Sequence, residues 1–156
     1  METTRHFTAT IYVVHDGKCL LHEHDRLGMW LPPGGHLDRD ELPREAALRE
    51  VEEETGLDVT LLEPQPTISA DFGRELSPAE HTMLYDIDSF DGEVAHQHID
   101  FVYYGESANR NLSPDDGEVA GDGWEWFTPG DLREHDGLTA EVVTLGIEAI
   151  ERVGSK

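Results

Sequence analysis

The chain is short of positive charge. Lys and Arg together number 11 against 34 Asp and Glu, for a formal charge of −23, and the only lysines are Lys18 and Lys156. So little basic character leaves no means of building a positive face, which argues against nucleic acid and against an anionic membrane as partners. Cysteine is almost missing as well: Cys19 alone rules out a disulfide framework. No apolar run approaches the roughly 20 residues of a membrane span, and none has the form of a secretory h-region. The expectation is a soluble, cytoplasmic protein. At 156 residues the length suits a single domain, residues 1–156, with a core large enough to stand without staples. No internal repeat, low-complexity segment or long linker divides it.

What the chain has in excess is carboxylate. The acidity runs from Glu2 to Glu151 and is not gathered in a tail. That resembles the proteins of salt-loving microbes, where concentrated cations screen the self-repulsion of a compact acidic chain. In such a background any single carboxylate is weak evidence of function. The stretch "LREVEEETGLDV", Leu48 to Val59, is different because Glu50, Glu52, Glu53 and Glu54 crowd into five positions. Like charges four apart on a helix cost about 0.2–0.5 kcal/mol per pair, so the crowding asks for a reason.

The surroundings set the frame. "HFTATIYVVHDGKCLLHEH" has β-branched and apolar runs on either side of Asp16-Gly17, a hairpin signal. "LGMWLPPGGHLDRDELP" reads as a Gly- and Pro-rich loop, and "PREAALREVEEET" as a helix over about Pro43–Thr55, with Pro43 in its first turn and Gly56 as its left-handed cap. "LDVTLLE", "HTMLYDIDSF", "HIDFVYYGES" and "WEWF" read as strands, "TPGDLREH" as a short helix, and "LTAEVVTLGIEAIERV" as a final helix with Val143, Ile147 and Ile150 on one stripe. An α/β fold with a mixed sheet and helices on both sides of it follows.

On the first helix Glu50, Glu53 and Glu54 fall at i, i+3 and i+4 and point toward one volume. Glu52 points elsewhere, Ala47 and Val51 face the core, and Glu45 is four residues before Arg49, the spacing of a favourable pair. Three convergent carboxylates make an oxygen site for a hard cation such as Mg²⁺ or Mn²⁺, which keeps waters and takes substrate phosphate as further ligands. Gly34 and Gly35 let a backbone carbonyl approach the same volume.

From Gly35 the chain reads G, five residues, E, seven residues, "REVEEETGL". This resembles the Nudix box of the Nudix hydrolase family at Gly35, Glu41, Arg49, Glu50, Val51, Glu53, Glu54, Gly56 and Leu57. Seven of those positions admit one amino acid, so at background frequencies of about 7% a chance match runs near one in a hundred million per window. The resemblance implies a Nudix-like α/β/α sandwich around a mixed sheet, and hydrolysis of a diphosphate linkage in a nucleotide or nucleoside diphosphate derivative. It implies Glu50, Glu53, Glu54 and the Gly35 carbonyl as metal ligands, with one of the three carboxylates, Glu53 or Glu50 foremost, able to orient or deprotonate the attacking water, Arg49 as the holder of a catalytic carboxylate, and Glu41 as loop support or a metal contact through water. In many relatives the base comes from a later loop, and Glu118 in "DDGEVAGDG" is the candidate, among Asp115, Asp116 and Asp122. Dimers are common in the family, so a homodimer is the assembly it suggests. Two other classes share the fold: an isopentenyl diphosphate isomerase, expected to carry a reactive cysteine and an altered box, and a non-catalytic nucleotide-binding or regulatory module, expected to have substituted carboxylates.

Outside the box, His96, His98 and Asp100 alternate along a strand and share a face, open to three roles: lining a substrate cleft, binding phosphate, or ligating a metal such as zinc. His22 and His24 read as exposed strand residues. Arg74 is one of few cations after the box and a candidate for substrate phosphate or ribose. Trp30, Trp124 and Trp126 fit the core better than a base-stacking role, and Phe72, Phe90, Tyr103 and Tyr104 leave that choice open.

Overall fold

The structure is a computed structural model that describes all residues except Met1, 25–27, Asp91, Val119 and Lys156, and the side chains of Ser89, Phe90 and Asp122. Phe90 as an aromatic candidate and Asp122 as an acid of the late loop therefore lie outside the described residues.

Strands β1 (Thr4–His15) and β2 (Lys18–His24) form the expected hairpin, in which His15 faces Lys18. Asp16 and Gly17 both take positive φ, 49° and 75°, which a two-residue turn with the twist of its strands requires. Beyond the reach of β2, β1 pairs with β4 (Gly34–His36), while β3 (Met29–Leu31) pairs with β2. Along its other edge β1 runs parallel to the long β9 (Glu93–Ser107) from Thr4 opposite His96 to Val14 opposite Glu106. The far edge of β9 takes β8 (His81–Phe90) and then β5 (Val59–Leu62), both antiparallel, and β10 (Trp124–Phe127) closes the opposite side on β2. The result is an eight-stranded mixed sheet, with β6 (Ser69–Ala70) and β7 (Gly73–Arg74) forming a separate ribbon. The segment expected as a plain loop thus contains β3 and β4; at three residues each they are too short to show an alternating pattern.

Side-chain alternation along β1 assigns the layers. Ala9, Ile11 and Val13 pack with Ala46, Ala47 and Val51 of helix α1 (Pro43–Thr55). Tyr12 and Val14 pack on the other face with Leu132 of helix α2 (Pro129–Glu134) and Val142, Leu145 and Ala149 of helix α3 (Ala140–Gly154). The buried stripe of α3 is Val142, Leu145, Gly146, Ala149 and Val153, and Val143, Ile147 and Ile150 pack beside it half-buried. Gly146 leaves room for the Leu132 side chain of α2, whose Cδ1 would stand 3.0 Å from a Cβ there, so the fully buried face of α3 includes the small residues that the expected stripe passes over. Among the described residues no helix is long and apolar enough to cross a membrane.

Both ends of α1 are as its sequence dictates. Pro43 opens it, the Glu45 carboxylate reaches back to accept the Leu42 N–H at 2.8 Å, and Gly56 ends it with φ 71° while its N–H bonds the Glu52 carbonyl. The register of the Glu-rich turns against β4 is fixed by these caps and by the buried Ala46, Ala47 and Val51.

Candidate active site

Helix α1 carries Glu50, Glu53 and Glu54 on the side that meets β4. Glu54 is buried, and its Oε1 accepts the Gly34 N–H at 3.2 Å. The Glu50 carboxylate lies directly over Gly35, so close that a Cβ on Gly35 would stand 2.5 Å from Glu50 Oε1. Only glycine allows that approach. Arg49 ties the group together: Nε and Nη2 take both oxygens of Glu41 at 2.6 and 2.9 Å, Nη1 donates to Glu50 Oε1 at 2.9 Å and Glu53 Oε2 at 3.2 Å, and Nη2 also reaches the His36 carbonyl. Glu41 in turn accepts the Asp38 N–H at 2.8 Å, which braces the loop before the helix. The sequence pairing of Arg49 with Glu45 is not what forms. Glu45 turns back to the helix start, and the fork of Arg49 faces Glu41, eight residues earlier.

The electrostatics are those of an anionic cluster with one cation. Burial pushes the Glu54 carboxyl well up, assisted by its hydrogen bond to Glu50 and by the charges of Glu50 and Glu118. The Arg49 hydrogen bonds hold the Glu41 carboxyl below the usual range. Glu118 stands on the loop after β9, exposed, yet its pKa is raised by partial desolvation and then by Glu50, Glu53 and Asp115. The fold brings it there because that loop docks on the end of α1: Ser113 N–H bonds the Thr55 carbonyl and Asp115 N–H the Glu53 carbonyl, each at 2.8 Å. Acids that raise one another's pKa, with a glycine backbone beside them, are a donor set of hard oxygens, and such a set fits Mg²⁺ or Mn²⁺.

The remaining candidates are elsewhere. His96, His98 and Asp100 do share a face of β9, but it is the face opposite α1, so the sheet separates them from the carboxylates. The Asp100 carboxylate is buried and accepts both Thr8 Oγ1 at 2.8 Å and Thr10 Oγ1 at 2.9 Å. His98 is held below the ordinary histidine value by burial and then by the imidazoles of His36, His96 and His6. His6 and His36 were not singled out from the sequence, since only strand pairing brings them to His98. Arg74, exposed on β7, borders a separate depression of about 220 Å³ at the start of α1. Trp124 is buried in the core, Trp30 and Trp126 are half-buried against it, and Tyr103 and Tyr104 are buried. Phe72 is fully exposed. His22, expected at the surface, is buried beside the Trp124 ring at 4.5 Å between centroids, and His24 is half-buried. Cys19 is fully buried, and burial pushes its thiol up to about 12.

A cleft of about 660 Å³ is lined by Arg5, His6, His36, Asp38, Arg39 and Glu41; it meets the cluster through Glu41, the partner of Arg49, and not through Glu50, Glu53 or Glu54. It is wide enough for a nucleotide-sized ligand.

Comparison with known proteins gives the same picture. The family profile described as the NUDIX domain matches residues 4–144. A hydrolase of the NUDIX family from Clostridium perfringens has a solved structure that superposes with a TM-score of 0.81, at 33% identity over 96% of this chain and 99% of its own. An 8-oxo-dGTP diphosphatase of Proteus vulgaris is 47% identical over 45 residues, 29% of this chain and 40% of that protein. An asymmetrical bis(5'-nucleosyl)-tetraphosphatase of Mus musculus is 45% identical over 58 residues, 37% of each protein. The chain thus spans well under half the length of those two curated relatives, while the family profile and the Clostridium structure cover nearly all of it. With the profile spanning 4–144 and a member of the family 33% identical over nearly the whole of both chains, the chain belongs to the Nudix family.

Proposed function

We propose that the protein is a Mg²⁺- or Mn²⁺-dependent pyrophosphohydrolase that cleaves a diphosphate linkage in a nucleotide or nucleoside diphosphate derivative, acting as one cytoplasmic domain and assembling as a homodimer. The observation that carries this reading is the gathering of three carboxylates of one helical face at β4: Glu50 over Gly35, Glu54 on the Gly34 N–H, and Glu53 joined to Glu50 through Arg49. The diphosphatase names of the two curated relatives support it for the reaction class. One helical face carries Glu50, Glu53 and Glu54, and Glu41 stands in the loop before it, so every fixed carboxylate of the box is present, whereas a binding module is expected to have lost some. The isomerase reading has no support from Cys19, whose thiol is buried and protonated.

In this mechanism Glu50, Glu53, Glu54 and the Gly35 carbonyl hold the metal. Once bound, the metal supplies charge neutralisation at the phosphoryl oxygens and lowers the pKa of an attacking water. The residues do the rest. Arg49 fixes Glu50 and Glu53 in place, so that no reorganisation of the carboxylates is needed when substrate arrives. Glu53, the more open of those two, orients the water or takes its proton, and Glu118 is the second candidate for that proton because neighbouring acids raise its affinity for it.

The test is release of phosphate or nucleoside monophosphate from a panel of nucleoside triphosphates, dinucleoside polyphosphates, ADP-ribose and nucleotide sugars, at molar KCl, with Mg²⁺ or Mn²⁺ and with EDTA. Cleavage of one class that EDTA abolishes is the expected result; equal turnover in EDTA would remove the metal from the proposal. The halophilic origin suggested by a charge of −23 makes its own prediction. The thermal midpoint should rise by several degrees from dilute buffer to molar KCl as screening relieves self-repulsion. An unchanged midpoint would discard that origin and leave the chemistry untouched.

A further inference from the structure

We infer that His6, His96 and His98 form a second metal site, one for a divalent transition metal such as zinc, on the face of the sheet opposite the carboxylates. The register of the parallel β1–β9 pair places His6 directly opposite His98 and Thr4 opposite His96, so period-two alternation sends all three imidazoles to one face. One ring nitrogen from each lies within 4.8 Å of the others. The rings gather tightly, with centroids 4.5 Å apart for His6 and His96 and 5.1 Å for His96 and His98. Zinc–nitrogen bonds of 2.0–2.1 Å in a tetrahedral site put donor atoms roughly 3.3 Å apart, so rotation of the exposed His6 side chain and small shifts of its half-buried partners close the difference.

A second observation points to a ligand. His96 Nε2 is buried and has no hydrogen-bond partner among the described residues. A buried polar nitrogen left unpaired is costly, and a metal is one thing that would satisfy it. Asp100, the carboxylate that sequence spacing puts with these histidines, is held by Thr8 and Thr10 instead. The donor set is therefore all imidazole. Imidazole suits zinc, copper or nickel, whereas the carboxylate and carbonyl set on the other face suits magnesium or manganese, so donor chemistry keeps the two sites apart. Three protein ligands leave a further position for water or an anionic group, and the cluster has access to the cleft through His6 and His36, the latter with its ring 4.8 Å from that of His98.

The experiment is zinc titration of the full chain, stripped of metal and then held in saturating Mg²⁺, by calorimetry and by competition with a chromophoric chelator. Co²⁺ serves as the spectroscopic probe. The expected result is one equivalent of tightly bound zinc, and visible ligand-field absorption with Co²⁺. His6→Ala and His98→Ala should each weaken zinc binding by more than about 100-fold, beyond the range that outer-shell partners control, while Glu53→Gln keeps it. His6 is exposed, so its variant tests the ligand with little effect on packing; circular dichroism checks both folds. In the unmutated chain, histidine ring resonances of three residues should shift together at one equivalent of zinc, a readout that depends on no variant and on no enzyme activity. Absence of zinc binding in Mg²⁺, retention in both histidine variants, or loss in Glu53→Gln alone would each overturn the site.

Discussion

Glu53→Gln is expected to lower hydrolysis by about 10²–10⁴-fold at saturating Mg²⁺, the span that a general base commands, and to leave the fold intact. The change is isosteric and removes one negative charge from a crowded cluster. What it breaks in the resting protein is small. The Glu53 side chain is 41% exposed, and its contact with Arg49 at 3.2 Å is an i, i+4 ion pair of the kind worth under about 1 kcal/mol. Arg49 keeps Glu41 and Glu50, and the bond that docks the late loop uses the Glu53 backbone carbonyl, which glutamine retains. Activity and stability should therefore separate, with turnover falling while the unfolding free energy from urea titration stays within about 0.5 kcal/mol of the parent. Full turnover in this variant would sink the proposed metal assignment. Parallel loss of stability would make Glu53 a structural residue instead.

The sequence made the cluster visible because its geometry is local. Residues at i, i+3 and i+4 of a capped helix must share a face, and nothing distant can change that. The same holds for the Asp16-Gly17 hairpin and for Gly56. Where partners lie far apart in the chain the pattern is silent. His6 and His98 are 92 residues apart and meet through the register of a parallel pair, which no local period encodes. Strands β3 and β4 are three residues long and exist because the longer β1 and β2 offer them edges. Glu45 at the right spacing for Arg49 was a true helical regularity that lost to a competing bond at the N-terminus. The stripe on α3 shifted for a related reason: its Gly146 packs against Leu132 of α2, a partner that the period of α3 alone does not encode.

In β4, Gly35 points its missing side chain at Glu50 on one face, and the next residue, His36, joins the histidines on the other. Two adjacent residues of one short strand thus border chemically different sites. The cleft is lined by Glu41 and Asp38 together with His6 and His36, so a ligand held there would meet members of both clusters. Selection among substrates would then involve Arg5 and His6, outside the box, and His36 at one of its variable positions.

Paired glycine variants separate the two demands made on β4. Neither Gly34 nor Gly35 has positive φ, so what alanine changes there is space and not backbone strain. At Gly34 a Cβ meets the Ala9 carbonyl oxygen at 2.5 Å and the Thr10 Cα at 3.0 Å, both on the neighbouring strand, and a paired strand cannot move aside cheaply. Gly34→Ala should cost about 1–3 kcal/mol, the range for overpacking, measured by urea unfolding. At Gly35 the three atoms nearest the Cβ all belong to the Glu50 carboxylate, at 2.5–3.0 Å, and that is the mobile end of a side chain. Gly35→Ala should therefore cost under about 1 kcal/mol in stability. Its effect falls on the cluster, since Glu50 must leave the position in which Arg49 Nη1 holds it at 2.9 Å. In the proposed mechanism a ligand displaced by about 1 Å loses on the order of 10²-fold in turnover. The expected pattern is a stable, nearly inactive Gly35→Ala and a destabilised Gly34→Ala; parental turnover in Gly35→Ala would mean that Glu50 does not need its place over Gly35 for catalysis.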